Sequence, residues 1–286
     1  MTPSPRSRLV GVAALLLSLV AFGCAYLPGA PSGSESGAVH PGGEECLHMI
    51  LERGSLRVGV TGSQPPLNMK NRNGELVGLD IELAQALADA MKVELELVET
   101  SFADLLTSLE RGRVDMVISS LTITPARNAR VAFAGPYLIS GSSLLTRAAL
   151  VEEVQTAEAL NSPERTWAAL AGSTGEELVA SAFPLARFVE IEDQQEAIQQ
   201  VASGEIDGLL ADLPFVRFSI ARYPELELAT LPSPFTTEPL GVALPANSPL
   251  FANLVQNYLN TLDYTGQLMQ MKTRWLNSGD WLADMP

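Results

Sequence analysis

The stretch Leu109-Glu110-Arg111-Gly112-Arg113-Val114-Asp115-Met116-Val117-Ile118 decides the fold, because the chain writes it twice. Its second version is Val201-Ala202-Ser203-Gly204-Glu205-Ile206-Asp207-Gly208-Leu209-Leu210. Each reads as a helix end, a Gly suited to the left-handed turn that stops a helix, a β-branched residue, an Asp and an apolar strand. Two copies of one helix–strand unit predict two lobes. Eight residues beyond the Gly, the first copy places Ser120 and the second Asp212. Ligands of open α/β sheets bind outside the carboxyl ends of the strands. The two positions are therefore expected to face each other across a cleft.

Around the first copy the order is strand, helix, strand, helix, strand, which predicts a mainly parallel sheet. Strands are expected at Leu56–Val60, Glu75–Gly78, Val93–Val98 and Val114–Ile118, and helices from Asp80, as cap, to Met91 and over Phe102–Arg111. Thr61 to Pro66 reads as a loop from its Gly and Pro content. The second half repeats the theme. Strands are expected at Thr166–Leu170, Phe188–Ile191 and Ile206–Ala211, with helices from about Glu176 and over Gln194–Ser203. A further strand pair, Leu226–Leu231 and Leu240–Leu244, precedes helices over Asn253–Asn260 and Gly266–Trp275 that return to the first lobe. Crossings near Leu138–Leu145 and Leu231–Val242 make a hinge. The division expected is lobe 1 from 46–140 and 240–286, and lobe 2 from 141–239.

Directly after the first copy comes Ser119-Ser120-Leu121-Thr122-Ile123-Thr124-Pro125-Ala126-Arg127. Hydroxyls and a guanidinium at a strand end suit a small carboxylate, because the planar guanidinium fork matches both carboxylate oxygens. A surface turn with a solvated Arg has the same composition. Asp212 suits an ammonium, or caps the helix that Leu213-Pro214 opens. Ser173 and Thr174, in Gly172-Ser173-Thr174-Gly175, offer donors at a helix N-terminus that favour an anion, or simply cap it. Taken together, a carboxylate grip from one lobe and an ammonium grip from the other describe an α-amino acid.

The N-terminus is read separately. Arg6 and Arg8 precede an apolar run from Leu9 to Phe22, closed by Gly23 and Cys24. That run is too short to span a bilayer and fits an export signal over 1–23. Ala21-Phe22-Gly23-Cys24 resembles the lipobox of bacterial lipoproteins, which implies acylation of Cys24. The stretch 24–45, rich in Gly, Pro, Ser and Ala, reads as a flexible tether. The folded part is thus expected outside the cytoplasm, in the periplasm or on the outer face of the cell membrane. With Cys24 acylated, Cys46 has no partner, and a disulfide framework is not expected. His40 and His48 are too few and too badly spaced to form a metal site with Cys46. The balance of 33 acidic against 18 basic residues, net charge −15, argues against a nucleic-acid partner. No Ser/His/Asp order, metal cluster or phosphate loop is present in the core sequence, so neither catalysis nor a cofactor is expected.

Several ordered motifs carry a family resemblance. They are Leu56 to Val60, Gly74 to Ala84, Ser119 to Arg127, Val131 to Phe133 and Gly135-Pro136-Tyr137. In the second half they are Gly172 to Glu176, Gly204 to Asp207, Asp212 and Glu238-Pro239-Leu240-Gly241-Val242-Ala243. With these the chain resembles the bacterial extracellular solute-binding proteins of family 3, which deliver polar amino acids to ABC importers. The resemblance implies an α/β type II periplasmic-binding-protein fold, two-lobed, with a two-strand hinge. It implies that Ser120, Thr122 and Arg127 hold the α-carboxylate with help from Thr174, that Asp212 holds the ammonium, and that Phe102 packs on the ligand. It also implies permease and ATPase partners for a monomeric binding protein. The first loop departs from the family, with Thr61, Gln64 and Leu67 where many members have acidic or aromatic residues. Without a carboxylate at Thr61, the expected ligand is polar and uncharged, such as glutamine. Periplasmic cyclohexadienyl dehydratases are similar too, but carry a Lys after the late Glu, where this chain has Pro239.

Overall fold

The computed structural model describes residues 44–154 and 156–284. The signal, Cys24 and most of the tether lie outside the described residues. Helix α1 (Glu44–Arg53) leads into β1 (Ser55–Val60). Three short strands, β2 (Ser63–Gln64), β3 (Asn68–Lys70) and β4 (Leu76–Val77), form a small antiparallel sheet; β4 falls in the strand expected over Glu75–Gly78, whereas β2 lies in the stretch that reads as a loop. Then come α2 (Leu79–Met91), β5 (Glu94–Glu99), α3 (Leu105–Glu110), β6 (Met116–Val117) and the one-turn α4 (Pro125–Asn128). Two long strands follow, β7 (Ala132–Ser140) and β8 (Ser142–Arg147), then α5 (Ala148–Glu153). The second copy supplies β9 (Thr166–Leu170), α6 (Thr174–Ala182), β10 (Arg187–Ile191), α7 (Gln194–Ser203) and β11 (Gly208–Asp212). The chain ends through α8 (Leu213–Arg222), β12 (Leu228–Ala229), β13 (Glu238–Leu244), α9 (Pro249–Tyr264) and α10 (Gln267–Thr273).

The two copies build two five-stranded sheets of one design. The first runs β5-β1-β6-β13-β7 and the second β10-β9-β11-β8-β12. In each, the first three strands are parallel and the fourth is antiparallel to the third. The sheets exchange their fourth strands through the chain. Strand β8, which follows β7 directly, joins the second sheet, and β13 returns to the first. Between β7 and β8 stands Gly141, where a Cβ would meet the Thr236 carbonyl oxygen of the other crossing at 2.2 Å. Only Gly lets the two crossings press together here, which fixes the hinge.

Separate hydrophobic cores stabilise the two halves. Val58, Leu83, Leu87, Met116, Leu240 and Phe251 pack in the first, and Ala168, Ile198, Val201, Leu209 and Val216 in the second. Helix α9 packs on the first sheet at β7, as expected from the sequence, whereas α10 packs on α9 and α2. Cys46 is a free thiol buried in this first core. The helix expected over Phe102–Arg111 splits into a 3-10 turn, Phe102–Asp104, and α3. No described helix is long and apolar enough to cross a membrane.

Candidate functional site

Strand β6 ends at the start of the hydroxyl-rich turn, and Ser120 there adopts a left-handed backbone, φ +51°. Such a conformation strains a residue with a Cβ, so something must hold it. Its N–H donates to Asp80 Oδ2 at 3.0 Å. Asp80 is fully buried and also accepts from the Tyr137 hydroxyl at 2.7 Å and Asn68 Nδ2 at 2.8 Å. Burial pushes its carboxyl up and these donors pull it down, burial prevailing. The sequence alone suggests Asp80 as the helix cap. Instead Gly78 holds the cap position and Asp80 braces the site turn from inside α2.

Thr124 caps α4 by accepting the Arg127 N–H, and Pro125 opens the helix with its φ already helical. This turn aims Arg127 inward, leaving it only 9% exposed. Its guanidinium donates from Nη1 to the Thr122 carbonyl and from Nη2 to the Gly172 carbonyl, both at 3.0 Å, and lies over the Phe102 ring at 5.6 Å. The Gly172 bond crosses between lobes. Among the described residues, no carboxylate lies within ion-pair distance of it. Burial lowers its pKa, opposed by the more distant Glu177, Glu238 and Asp212.

From the second lobe, Ser173 caps α6, accepting from the Glu176 N–H at 3.3 Å. Thr174 stands at the first helical position beside it. Asp212 ends β11 but makes no capping bond to α8. Its carboxylate accepts from the Ser120 hydroxyl at 2.5 Å, across the cleft, and from Ser140 at 3.3 Å. Removal from water raises the Asp212 pKa to about 7. Ser120 opposes that shift, Glu238 adds to it, Ser140 opposes it and Asp80 adds to it.

Gln64, Phe102, Ser120, Thr122, Ser173, Thr174 and Asp212 line one interlobe cavity of about 20 Å³. The Gln64 carbonyl accepts from Ser119 at 3.2 Å and Thr61 at 3.3 Å. Arg127 sits behind the wall, reaching across at Gly172. The structure therefore brings the predicted set together, apart from Cys24, which is not described. Sequence reasoning missed Ser142 and Gln194, which also line the cavity. It missed as well the partners of Glu238, which accepts from Thr122, Thr174, Ser142 and Thr236. The Thr122 and Thr174 hydroxyls thus meet a carboxylate of the chain itself. Phe102 and Leu170 separate the cavity from a second of about 290 Å³, lined by Thr61, Ser63, Glu99, Thr100, Ser101, Glu192 and Asp193. Among the described residues, no group of His, Cys, Asp or Glu could hold a metal ion.

The sequence profile of bacterial extracellular solute-binding proteins, family 3, matches residues 56–278. A cyclohexadienyl dehydratase from Pseudomonas aeruginosa is 29% identical over 82% of this chain and 87% of its own. An L-cystine-binding protein from Escherichia coli is 28% identical over the same shares. A solved ABC-transporter binding component from Wolinella succinogenes, complexed with lysine, superposes with a TM-score of 0.77 at 34% identity, covering 81% of this chain and 99% of that one.

Proposed function

The chain belongs to the bacterial extracellular solute-binding proteins, family 3, and we propose that it is a lipid-anchored protein that captures one L-amino acid and delivers it to an ABC permease. Its amino-acid-binding class, type II periplasmic-binding-protein fold and extracytoplasmic place come with the family. The finer reading is carried by Arg127. Leaving a buried guanidinium without a carboxylate costs several kcal/mol unless a ligand supplies one. Its fork, the cleft-facing N-terminus of α6 and the Ser120 turn form the α-carboxylate grip. Thr122 and Thr174 turn their hydroxyls to the ligand as it enters. Asp212 takes the ammonium, whose charge restores the ionised form that burial opposes.

The ligand side chain passes Phe102 and Gln64 toward the larger cavity. Glu99, Glu192 and Asp193 there favour N–H donors. Glutamine is the uncharged candidate, and lysine and arginine are its cationic competitors. The first cavity is too small for an amino acid, so entry requires the lobes to part about the Gly141 hinge. Acylation of Cys24 holds the monomer at the membrane beside its permease and ATPase.

Calorimetric titration of the purified protein with all twenty amino acids tests this. Binding of one or a few at roughly micromolar affinity is expected, about −8 kcal/mol. No binding to any would reject the reading.

A dehydratase is the second reading, favoured by the Pseudomonas aeruginosa relative and by Asp212, whose pKa near 7 suits a general acid. Glu238 does not suit that role. Four hydroxyls hold it ionised, against its burial, below the usual carboxylate range. Prephenate turnover measured on the same preparation decides between the readings.

A further inference from the structure

Glu238 opens β13, where the chain re-enters the first sheet, and it is 4% exposed. Its Oε1 accepts from the hydroxyls of Ser142 at 2.6 Å and Thr236 at 2.7 Å. Its Oε2 accepts from those of Thr122 and Thr174, both at 2.7 Å. A carboxylate has about four lone-pair positions, and a hydroxyl has one proton to give. All four positions are taken by four protons, so Glu238 has no acceptor capacity left over. The donors come from different bodies. Thr122 belongs to the first lobe, Ser142 and Thr174 to the second, and Thr236 to the second crossing. The Thr236 hydroxyl also accepts the Ser142 N–H at 2.9 Å, tying the two crossings together beside Gly141.

We propose that Glu238 is the positioning residue of the cleft, its carboxylate drawing hydroxyls of both lobes and of the hinge onto one point and so setting how far the lobes close. Hydrogen bonds to an ionised acceptor are short and about twice as strong as neutral ones. Gathered at the hinge, they fix closure where a small rotation moves the lobe tips furthest. They also hold Thr122 and Thr174 opposite each other at the cleft wall. A ligand carboxylate must draw those two hydroxyls away from Glu238, exchanging one carboxylate for another. Ser142 and Thr236 stay on Oε1 and keep the hinge joined during that exchange.

The effect on lobe closure stands on the geometry alone, whereas the effect on affinity rests on the amino-acid reading above. The test separates them. Nitroxide labels are placed by Leu185→Cys in the second lobe and Tyr264→Cys in the first, sites that are 63% and 85% exposed. Cys24 and Cys46 are replaced by Ser in the full chain, and interlobe distances are read by pulsed electron resonance on protein stripped of amino acids. Glu238→Gln puts an amide N–H₂ against hydroxyl protons and should add a population at longer distance. Thr236→Val, which removes one donor outside the cavity, should move the distribution the same way by less. Thr236→Ser keeps the hydroxyl and should restore the parent distances. Affinity for the amino acid bound should fall about tenfold in Glu238→Gln, the size of a usual coupling between contacting groups. Adding Thr236→Val to Glu238→Gln should cost little more, since both break one cluster. Unchanged distances in both Glu238→Gln and Thr236→Val, with circular dichroism showing intact folds, overturn the proposal. If the parent binds no amino acid, the amino-acid reading fails and the distance arm still decides the role of Glu238.

Discussion

Asp115 and Asp207 hold the same place in the two copies of the helix–strand unit, and the structure uses them alike. Asp115 exchanges backbone bonds with β1, its N–H donating to the Arg57 carbonyl at 2.8 Å and its Oδ2 accepting the Arg57 N–H at 2.8 Å. Asp207 does the same with β9, through the Thr166 carbonyl and N–H, both at 2.9 Å. Each also meets arginines, Arg53 and Arg57 in one lobe, Arg147 and Arg165 in the other. Five residues further on the copies part company. Ser120 and Asp212 differ in chemistry and bond to each other across the cleft. Arg127 stands fifteen residues past Gly112. The same offset past Gly204 is Ser219, a buried residue of α8 whose hydroxyl turns back to the Phe215 carbonyl at 2.9 Å. The repeat builds two equal frames, and the site arises where the strand ends stop repeating.

The largest expected effect tests the unequal part. Arg127→Ala should cost about 3–5 kcal/mol of ligand affinity, two to three orders of magnitude or more, by leaving the ligand carboxylate buried and unpaired. Stability without ligand should change far less, because Arg127 gives up only two carbonyl bonds and its place over Phe102. Calorimetry and thermal melting measure the two effects side by side. An unchanged dissociation constant would show that the anchor lies elsewhere.

The equal part should answer in the opposite manner, with loss of stability and little change in affinity. Asp115 has 2% of its side chain exposed, accepts from Arg57 Nη2 at 2.7 Å and also pairs with Arg53, so Asp115→Ala should cost about 3 kcal/mol in urea unfolding. Asp207 is 19% exposed and its arginine contacts are 3.4 and 3.7 Å, so Asp207→Ala should cost about 1 kcal/mol. Equal losses would mean that the backbone exchange, common to both, dominates and the arginines contribute little.

That repeat was legible because both copies carry their punctuation in the sequence. Gly112 and Gly204, the paired Asp and the apolar run place β6 and β11 in register. Thr166–Leu170 and Gln194–Ser203 match at both ends. Strands β7 and β8 were not legible beyond the hinge crossing. Gly135-Pro136 breaks the sequence pattern of a strand inside β7, and the chain changes sheets at Gly141 with only one residue between the strands. The strand expected over Leu226–Leu231 shortens to Leu228–Ala229 because it meets only the end of β8, at Arg147 and Thr146. Cleft residues were legible where a strand end predicts a direction, as at Ser120 and Asp212. The surroundings of Glu238 were not. Its partner Thr122 lies 116 residues away, and nothing local in a Glu-Pro pair announces four hydroxyls.

The last effect concerns the polar bond that joins the two unequal positions. Asp212 has a folded pKa raised from 3.8 to about 7. The folded protein therefore holds a proton that the unfolded chain has lost between those values. Stability contributed by this group is present on the acid side and is lost as pH rises through about 7. Ligand binding should run the other way. An ammonium beside Asp212 favours the ionised form, so binding near neutrality expels the proton. Affinity should then be about tenfold weaker at pH 6 than at pH 8, and the heat of binding should vary with the ionisation enthalpy of the buffer. Glu238 and Asp80 face the same carboxylate. Glu238 is already held ionised by its hydroxyls, while Asp80 donates nothing to the cleft and stays with Tyr137 and Asn68. Asp212→Asn should flatten the profile and bind weakly at every pH. A profile that stays steep in Asp212→Asn would assign the proton to another group and leave Ser120 facing a carboxylate that is ionised throughout.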